Sequence, residues 1–328
     1  MKIAAVIPNW NGARLLDRLL PTVATQTRLF DSVIVVDNGS RDDSADVADC
    51  FGCEVVRLNE NKGFAPAVNA GVAVAKTDAV CIINNDVELG SNWLEFLSAT
   101  FADPTVAFAV GKIVSTRQPD LIDGTFDAVS RGACAARLGA RRADGVFWET
   151  PRRIQFAPFT AILIRTQVYE RVGGLDAAFG SYLEDVDFGL RCASFGYNDV
   201  YEPRAVARHA GSATLGRWNP RIVRNLSRNQ VFLLARHYDR KSLARFGWAI
   251  AAGQLLWGLV AARHGAAGAW FLGKIEGVRR FRDLRRSGCP VLTETLLASE
   301  RLIWDVQSAT GLDLYWRLYF ALTLGPPR

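Results

Sequence analysis

Four apolar runs fall in the first ~90 residues, and each is closed by a polar residue. The last constrains the fold most: Ala79-Val80-Cys81-Ile82-Ile83 leads directly into Asn84-Asn85-Asp86. A short unbroken apolar run bounded by polar residues predicts a buried strand. A carboxylate just past such a strand sits where open α/β sheets bind their ligands, outside the carboxyl ends of the strands.

The other runs fit the same plan. Residues 2–7 predict a strand, Pro8-Asn9-Trp10-Asn11-Gly12 a turn, and the stretch to Gln26 a helix with Leu15, Leu16, Leu19 and Leu20 at helical spacing. Residues 32–36 predict a second strand, stopped by Asp37-Asn38-Gly39-Ser40 and followed by a helix from about Asp42. Residues 53–58 predict a third strand, then a turn over 59–63 and a helix over 65–75. This strand-helix alternation predicts an α/β fold: a mostly parallel sheet with helices on both faces. Residues 115–155 are Gly- and Arg-rich and predict an inserted loop or hairpin over the sheet edge. Residues 159–165 predict a further strand. A helix is expected over 183–196, with Val186, Leu190 and Ala193 on one face and Gly196 as its stop. From about 217 the chain reads as mostly helical.

The polar residues at the strand ends suggest chemistry. Asp37 can accept the imide N–H of uracil or thymine, or simply cap its turn. Asn9 and Asn11 after the first strand, and Asn61 and Asn69 around the third, add polar groups to the same rim. Each alone reads as a loop cap sooner than as a ligand, and their convergence at successive strand ends carries the argument. Asp86 can help hold a divalent ion that neutralises a departing diphosphate, whose own oxygens complete the coordination. His209, in Arg208-His209-Ala210-Gly211-Ser212, is the candidate second ligand, and imidazole plus carboxylate suits Mn²⁺ somewhat better than Mg²⁺. Glu184-Asp185-Val186-Asp187 places three acids at a helix start. Acids are favourable there, and Asp187 and Arg191 can pair at i,i+4. Three together also suit a general base: Asp185 to take the proton of an attacking hydroxyl, Glu184 to orient acceptor or base.

Charge is divided unevenly. Residues 1–216 hold 21 Lys and Arg against 26 Asp and Glu, a net of −5, whereas residues 217–328 hold 18 against 7, a net of +11. That predicts an anionic surface partner for the C-terminal part. No nucleic-acid-binding signature accompanies the charge and the same region is rich in Trp and Leu, so an acidic membrane face is expected rather than nucleic acid. The run 246–262 is uncharged over 17 residues, at the lower limit for a bilayer span. Arg245, Arg263 and Arg279-Arg280-Phe281-Arg282, Arg285-Arg286 flank it, which fits a helix lying in the interface. The alternatives are a soluble helical subdomain packing Trp248 and Trp257 on the core, or a homo-oligomer interface. Residues 299–324, rich in aromatics, could cap the core, form a dimer or enter the interface. The six cysteines, with no secretory leader at Met1-Lys2, predict reduced thiols and a cytoplasmic setting. Cys50 and Cys53 are expected as small buried residues around a turn.

Taken together, these segments resemble the family 2 glycosyltransferases of the GT-A fold, and among them the bacterial rhamnosyltransferase-like members. The resemblance rests on Pro8-Asn9-Trp10-Asn11-Gly12, on Val35-Val36-Asp37-Asn38-Gly39-Ser40, and on Asn61-Lys62-Gly63-Phe64 with Asn69. It rests equally on Asn84-Asn85-Asp86 in the place of an Asp-x-Asp motif, on Gly173-Gly174-Leu175-Asp176 with Tyr182 to Asp187 and Arg191, and on His209 to Ser212. It covers roughly residues 2–240. It implies a nucleotide-sugar site formed by Pro8, Asn9, Asn11, Asp37, Asn61, Gly63, Asn69, Asn85 and Arg191, a metal held by Asp86 and His209, and catalysis by Asp185 with Glu184. Phe179-Gly180-Ser181, where relatives often carry bulkier residues, leaves the acceptor shape open. The absence of a Gln-x-x-Arg-Trp segment implies single addition. The expected organisation is a catalytic domain over 1–216 (nucleotide half 1–114, acceptor half 115–216) and a basic helical region over 217–328. The expected reaction is inverting, metal-dependent transfer of one sugar, L-rhamnose first, from a dTDP- or UDP-sugar to a lipid-linked or cell-surface glycan. The expected location is the inner face of the cytoplasmic membrane. A nucleotidyltransferase would want a Gly-rich basic loop after the first strand, which Asn9-Trp10-Asn11-Gly12 does not supply. A non-catalytic glycan-binding or scaffold protein would have no need of the acid cluster.

Overall fold

The computed structural model describes residues 1–211 and 218–325. In chain order its elements are β1 (Ile3–Asn9), α1 (Ala13–Ala24), β2 (Ser32–Asp37), α2 (Ser44–Cys50), β3 (Glu54–Arg57), α3 (Phe64–Val74), β4 (Ala79–Ile83), β5 (Val87–Leu89), α4 (Trp93–Thr100), β6 (Val106–Ser115) and β7 (Ile122–Gly124). Then come β8 (Asp127–Val129), β9 (Ala135–Arg137), β10 (Arg152–Ile154), β11 (Ala161–Arg165), α5 (Thr166–Val172), α6 (Glu184–Ser194) and β12 (Asn198–His209). Five helices close the chain: α7 (Pro220–His237), α8 (Arg240–Arg263), α9 (Ala267–Leu284), α10 (Leu292–Thr310) and α11 (Leu314–Leu322). Two compact units are formed. Segments Asp127–Leu138 and Tyr182–Gly196 belong with the C-terminal helices, and Met1–Phe126, Gly139–Ser181 and the chain from Tyr197 through β12 belong to the first unit. The expected boundary at 216/217 falls on residues 212–217, outside the described residues.

The first unit is built on one sheet of order β10-β12-β6-β11-β4-β1-β2-β3. Strands β4, β1, β2 and β3 run parallel. Strand β11 is antiparallel to both β4 and β6, so the sheet is mixed beyond β4. The central strands are apolar on both faces because both faces are covered. On one face Ile3, Ala5, Ile7, Val35 and Cys81 pack with Leu16, Leu19, Leu20 and Val23 of α1 and with Trp93, Leu94 and Leu97 of α4. On the other, α3 approaches Val6 and Val36 at Gly71. Strand β3, half exposed, is the edge. Within the inserted region, β7 joins the sheet against β6 and β10 forms its other edge against β12.

In the second unit β8 and β9 form a two-stranded hairpin, with Asp127 opposite Arg137. Trp316, Tyr319 and Phe320 of α11 are buried, as are Leu296 and Ile303 of α10. Residues 299–324 thus help build the core of this unit. Trp257 packs beside Val223 and Ala261, whereas Trp248 is 64% exposed. Helix α8 is the one described helix long and apolar enough to cross a membrane, by length and composition. None of the six cysteines is joined in a disulfide. Cys50 is exposed rather than buried, because it ends α2 on the solvent side.

Candidate active site

Strand register assembles a cluster at one end of the sheet. Asp86 directly precedes β5, and β5 pairs with the end of β12 so that Val87 faces His209. Strand β12 runs parallel to β6, and β7 lies antiparallel on β6 next to the same end, which brings in Asp123. The result is a line of three groups. His209 Nε2 lies 3.1 Å from Asp86 Oδ1, and His209 Nδ1 lies 2.7 Å from Asp123 Oδ2. Burial pulls the imidazole pKa down, but the hydrogen bonds to Asp123 and Asp86 outweigh it and raise the value to about 9.

The donor atoms fit a divalent ion. Two neighbouring ligands on an octahedral ion, with bonds of about 2.1 Å, stand about 3 Å apart, the spacing of Asp86 Oδ1 and His209 Nε2. A carboxylate behind the other ring nitrogen fixes the tautomer and orientation of a metal-binding histidine, and Asp123 is so placed. Among the described residues no three or more His, Cys, Asp or Glu side chains form a complete cage, so such an ion would draw further ligands from its substrate. Ser212 lies outside the described residues.

The remaining residues of the rim divide into two kinds. Asn9, at the end of β1, accepts from Asn85 Nδ2 at 2.7 Å, and its own Nδ2 is buried without a partner. Gly12 leaves room for this pair: a Cβ there would stand 2.4 Å from both Asn85 Nδ2 and Asn9 Oδ1, so the two side chains would have to shift. Asp37, paired with Asn9 across β1 and β2, accepts from the Ser40 N–H through Oδ1. Pro8 lies one position earlier on β1. Other residues hold loops. Asn11 Oδ1 accepts from the Arg41 N–H, and Asn61 Oδ1 accepts from Gly63 N–H and Asn38 Nδ2. Gly63 has φ 95°, a backbone open to glycine. Asn69 binds Leu175 through both amide atoms and also accepts from the Tyr169 hydroxyl, so it fastens the turn after Gly174. Asn38, read from sequence only as part of a turn, ties that turn to Asn61, Lys62 and Gly63.

The second unit holds the acid cluster. Asp185 Oδ1 accepts from the Val186 N–H, and its other oxygen lies 3.9 Å from Arg137 Nη2. Arg137 also pairs with Asp127 at 3.2 Å. Burial first, then the nearby Asp127 charge, push the Asp185 carboxyl up to about 7, against the pull of Arg137. Glu184 is buried with Oε2 unpartnered; desolvation and the Asp185 charge raise its pKa well above the ordinary range. Asp187 behaves oppositely. Burial alone would raise its pKa, but hydrogen bonds from His237 and Arg191 bring it below the usual value. Arg191, expected at the donor, binds Asp187 Oδ2 through Nε at 2.9 Å. Asp127, Arg137 and His237 were not legible as site residues, since only hairpin and helix packing bring them to the cluster.

The sequence profile of Glycosyl transferase family 2 matches residues 4–172. The chain belongs to this family. It is 33% identical over 220 residues to the pre-mycofactocin glycosyltransferase of Mycobacterium tuberculosis, covering 66% of this chain and 44% of that protein. It therefore spans less than half of that relative's length. It is 25% identical over 252 residues to the N-acetylglucosaminyl-diphospho-decaprenol L-rhamnosyltransferase of the same organism, covering 68% of this chain and 80% of the relative. Among solved structures, GalNAc-T7 with UDP, GalNAc and Mn²⁺ matches 95% of this chain and 58% of its own, at TM-score 0.64 and 15% identity. The mannosyltransferase PcManGT of Pyrobaculum calidifontis, with GDP-Man and Mn²⁺, matches 98% of this chain and 87% of its own, at TM-score 0.54 and 16% identity. The fold is GT-A-like, with helices added at the C-terminus.

Proposed function

We propose that this family 2 member transfers a single sugar from a dTDP- or UDP-sugar, L-rhamnose first, to a hydroxyl of a lipid-linked or cell-surface glycan, with inversion. The observation that carries this reading is the Asp86–His209–Asp123 line at the strand ends, beside the Asn9–Asn85 pair. Relatives named as rhamnosyltransferases, including the O-antigen chain rhamnosyltransferase RfbN of Salmonella typhimurium at 24% identity, support the choice of sugar.

Asp37 would receive the imide N–H of the base at its second carboxylate oxygen. Asp86 and His209 would hold a divalent ion, with Asp123 keeping the imidazole in its binding tautomer. A bound cation supplies charge neutralisation to the departing diphosphate. In the inverting step the acceptor oxygen forms its bond to the anomeric carbon while the bond to the diphosphate breaks. The nucleoside diphosphate leaves with that electron pair, and Asp185 takes the acceptor proton. A carboxylate whose pKa lies near working pH suits that task, and Asp185 meets this condition. Glu184, buried beside it with its pKa raised by desolvation, would orient acceptor or base.

The reading extends to an acidic membrane face at the cytoplasmic side. On α8 the exposed Trp248, Leu255 and Leu259 recur at seven and four residues, a single stripe. Lys241 and Arg245 precede them on the same side of the helix. Leu314, Leu318 and Leu322 form an exposed stripe on α11, and the Trp248 indole donates to the Leu322 carbonyl, so the two stripes adjoin. Apolar side chains edged by cations fit an anionic interface. The direct test is nucleotide release from dTDP-L-rhamnose and a panel of UDP-sugars, with Mn²⁺ and with EDTA. Mn²⁺-dependent release from one donor supports the reading; no release from any donor overturns it.

A further inference from the structure

We infer that helix α7 is a clamp on the base, with Asn229 and His237 as its positioning residues. The inference rests on the reading of Asp185 as the base. Tyr182 and Leu183 both have positive φ, 75° and 64°, although neither is glycine. Such residues are uncommon, and a side chain there is strained unless its surroundings impose the conformation. Two in succession lead straight into Glu184 and Asp185. Leu183 occupies the cap position of α6 and provides no side-chain cap. Its leucine side chain cannot hold the turn by a hydrogen bond.

Helix α7 supplies the restraint. The Asn229 side chain, fully buried, donates from Nδ2 to the Tyr182 carbonyl at 2.6 Å, and Arg228 Nε donates to its Oδ1. Two helical turns later, on the same face of α7, His237 Nε2 meets Asp187 Oδ1 at 2.8 Å. Asp187 is 1% exposed, and its other oxygen is taken by Arg191. Its N–H bonds the Leu183 carbonyl, closing the first turn of α6. Asn229 thus fixes the entry to the strained turn, and His237 fixes the first helical turn beyond it. Asp185 lies between the two fixed points, and its direction depends on both. The cost of a misdirected base falls on the chemical step, since a small displacement of a catalytic group suffices to slow the reaction.

The test compares Asn229→Leu, which keeps size and removes the donor, with His237→Ala and with His237→Gln, which restores an N–H. Asn229→Ser, too short to reach the Tyr182 carbonyl, serves should the leucine variant fail to fold. Release of dTDP from dTDP-L-rhamnose, or of UDP from the active member of the panel, gives kcat and the donor KM. Hydrogen exchange of the peptide spanning 182–190 gives local order independently of activity. We expect kcat to fall about 10–100-fold in Asn229→Leu and His237→Ala, with donor KM within about twofold. The 182–190 peptide should exchange about tenfold faster while the sheet peptides are unchanged, and His237→Gln should recover most of kcat. Unchanged exchange and kcat in these variants, with Asp185→Asn inactive, overturns the clamp alone. Asp185→Asn that retains turnover overturns the base assignment beneath it.

Discussion

Neutralising Asp185 is expected to destroy turnover and stabilise the protein at once. The carboxyl is held at about 7 against an ordinary 3.8. Each tenfold change in proton affinity is worth about 1.4 kcal/mol, so holding Asp185 ionised costs the folded chain about 4 kcal/mol. Glu184 shares the site and keeps part of that penalty, so Asp185→Asn should gain about 2–4 kcal/mol at pH 7.5. The amide oxygen can still accept from the Val186 N–H. The pH window follows from the sign. The native acid keeps its proton while the unfolded one loses it between 3.8 and about 7, so wild-type stability falls as pH rises through that range and is level above it. The advantage of Asp185→Asn should therefore vanish near pH 4 and reach full size above pH 7. Urea unfolding of both proteins across this range reads it, and turnover should fall 10²–10⁴-fold in the same variant, about 3–5 kcal/mol in barrier. Equal stability of the two proteins at pH 7.5 would refute the burial argument. Turnover within tenfold of wild type would move the base to Glu184 or Asp187.

Three further outcomes are expected. Asp123→Asn should weaken Mn²⁺ binding about 10–100-fold, measured by metal titration, because it releases the imidazole that Asp86 faces; unchanged affinity would remove Asp123 from the site. Gly12→Ala should lower dTDP affinity with little change in melting temperature, because its Cβ would meet Asn85 and Asn9 at 2.4 Å; normal affinity in calorimetry would contradict the role of that pair. Binding to anionic vesicles should weaken as salt rises, and Trp248→Ser with Leu255→Ser should reduce it further, since cations near the surface contribute about 1 kcal/mol each and the apolar stripe adds burial. Flotation that is absent at low salt, replaced by a concentration-dependent dimer in ultracentrifugation, would assign the stripe to a second copy of the chain.

The fold was legible where the chain obeys one rule at a time. Strands β1 and β4 are uninterrupted apolar runs, and α1 repeats leucine at helical spacing, so both faces of the central sheet could be read directly. Strand β12 could not. It carries Glu202, Pro203 and Arg204 in its middle, and the pairing with β6 skips there, between Glu202 and Val206. Only the partner strand makes such a segment a strand. Asp86 stood out at the end of a predicted strand, and His209 as one of only three histidines, set beside small residues. Asp123 gave no signal, because its place beside His209 depends on how β7 lies on β6 and β6 on β12. The same holds for Arg137 and His237, which reach Asp185 and Asp187 through packing between distant segments. Asn69 shows the reverse case: an asparagine at the expected spacing whose hydrogen bonds go to the Leu175 turn.

A metal-assisted nucleotide site at the ends of β1, β2 and β4 can be measured by calorimetry. dTDP and UDP would be titrated into wild type and Asp86→Ala, each with Mn²⁺ and with EDTA. Wild type should bind one of the two nucleotides at least tenfold more tightly with Mn²⁺, and Asp86→Ala should lose this gain while retaining the weaker metal-free binding. Equal affinity with and without Mn²⁺ in wild type, or a full Mn²⁺ effect in Asp86→Ala, would contradict it.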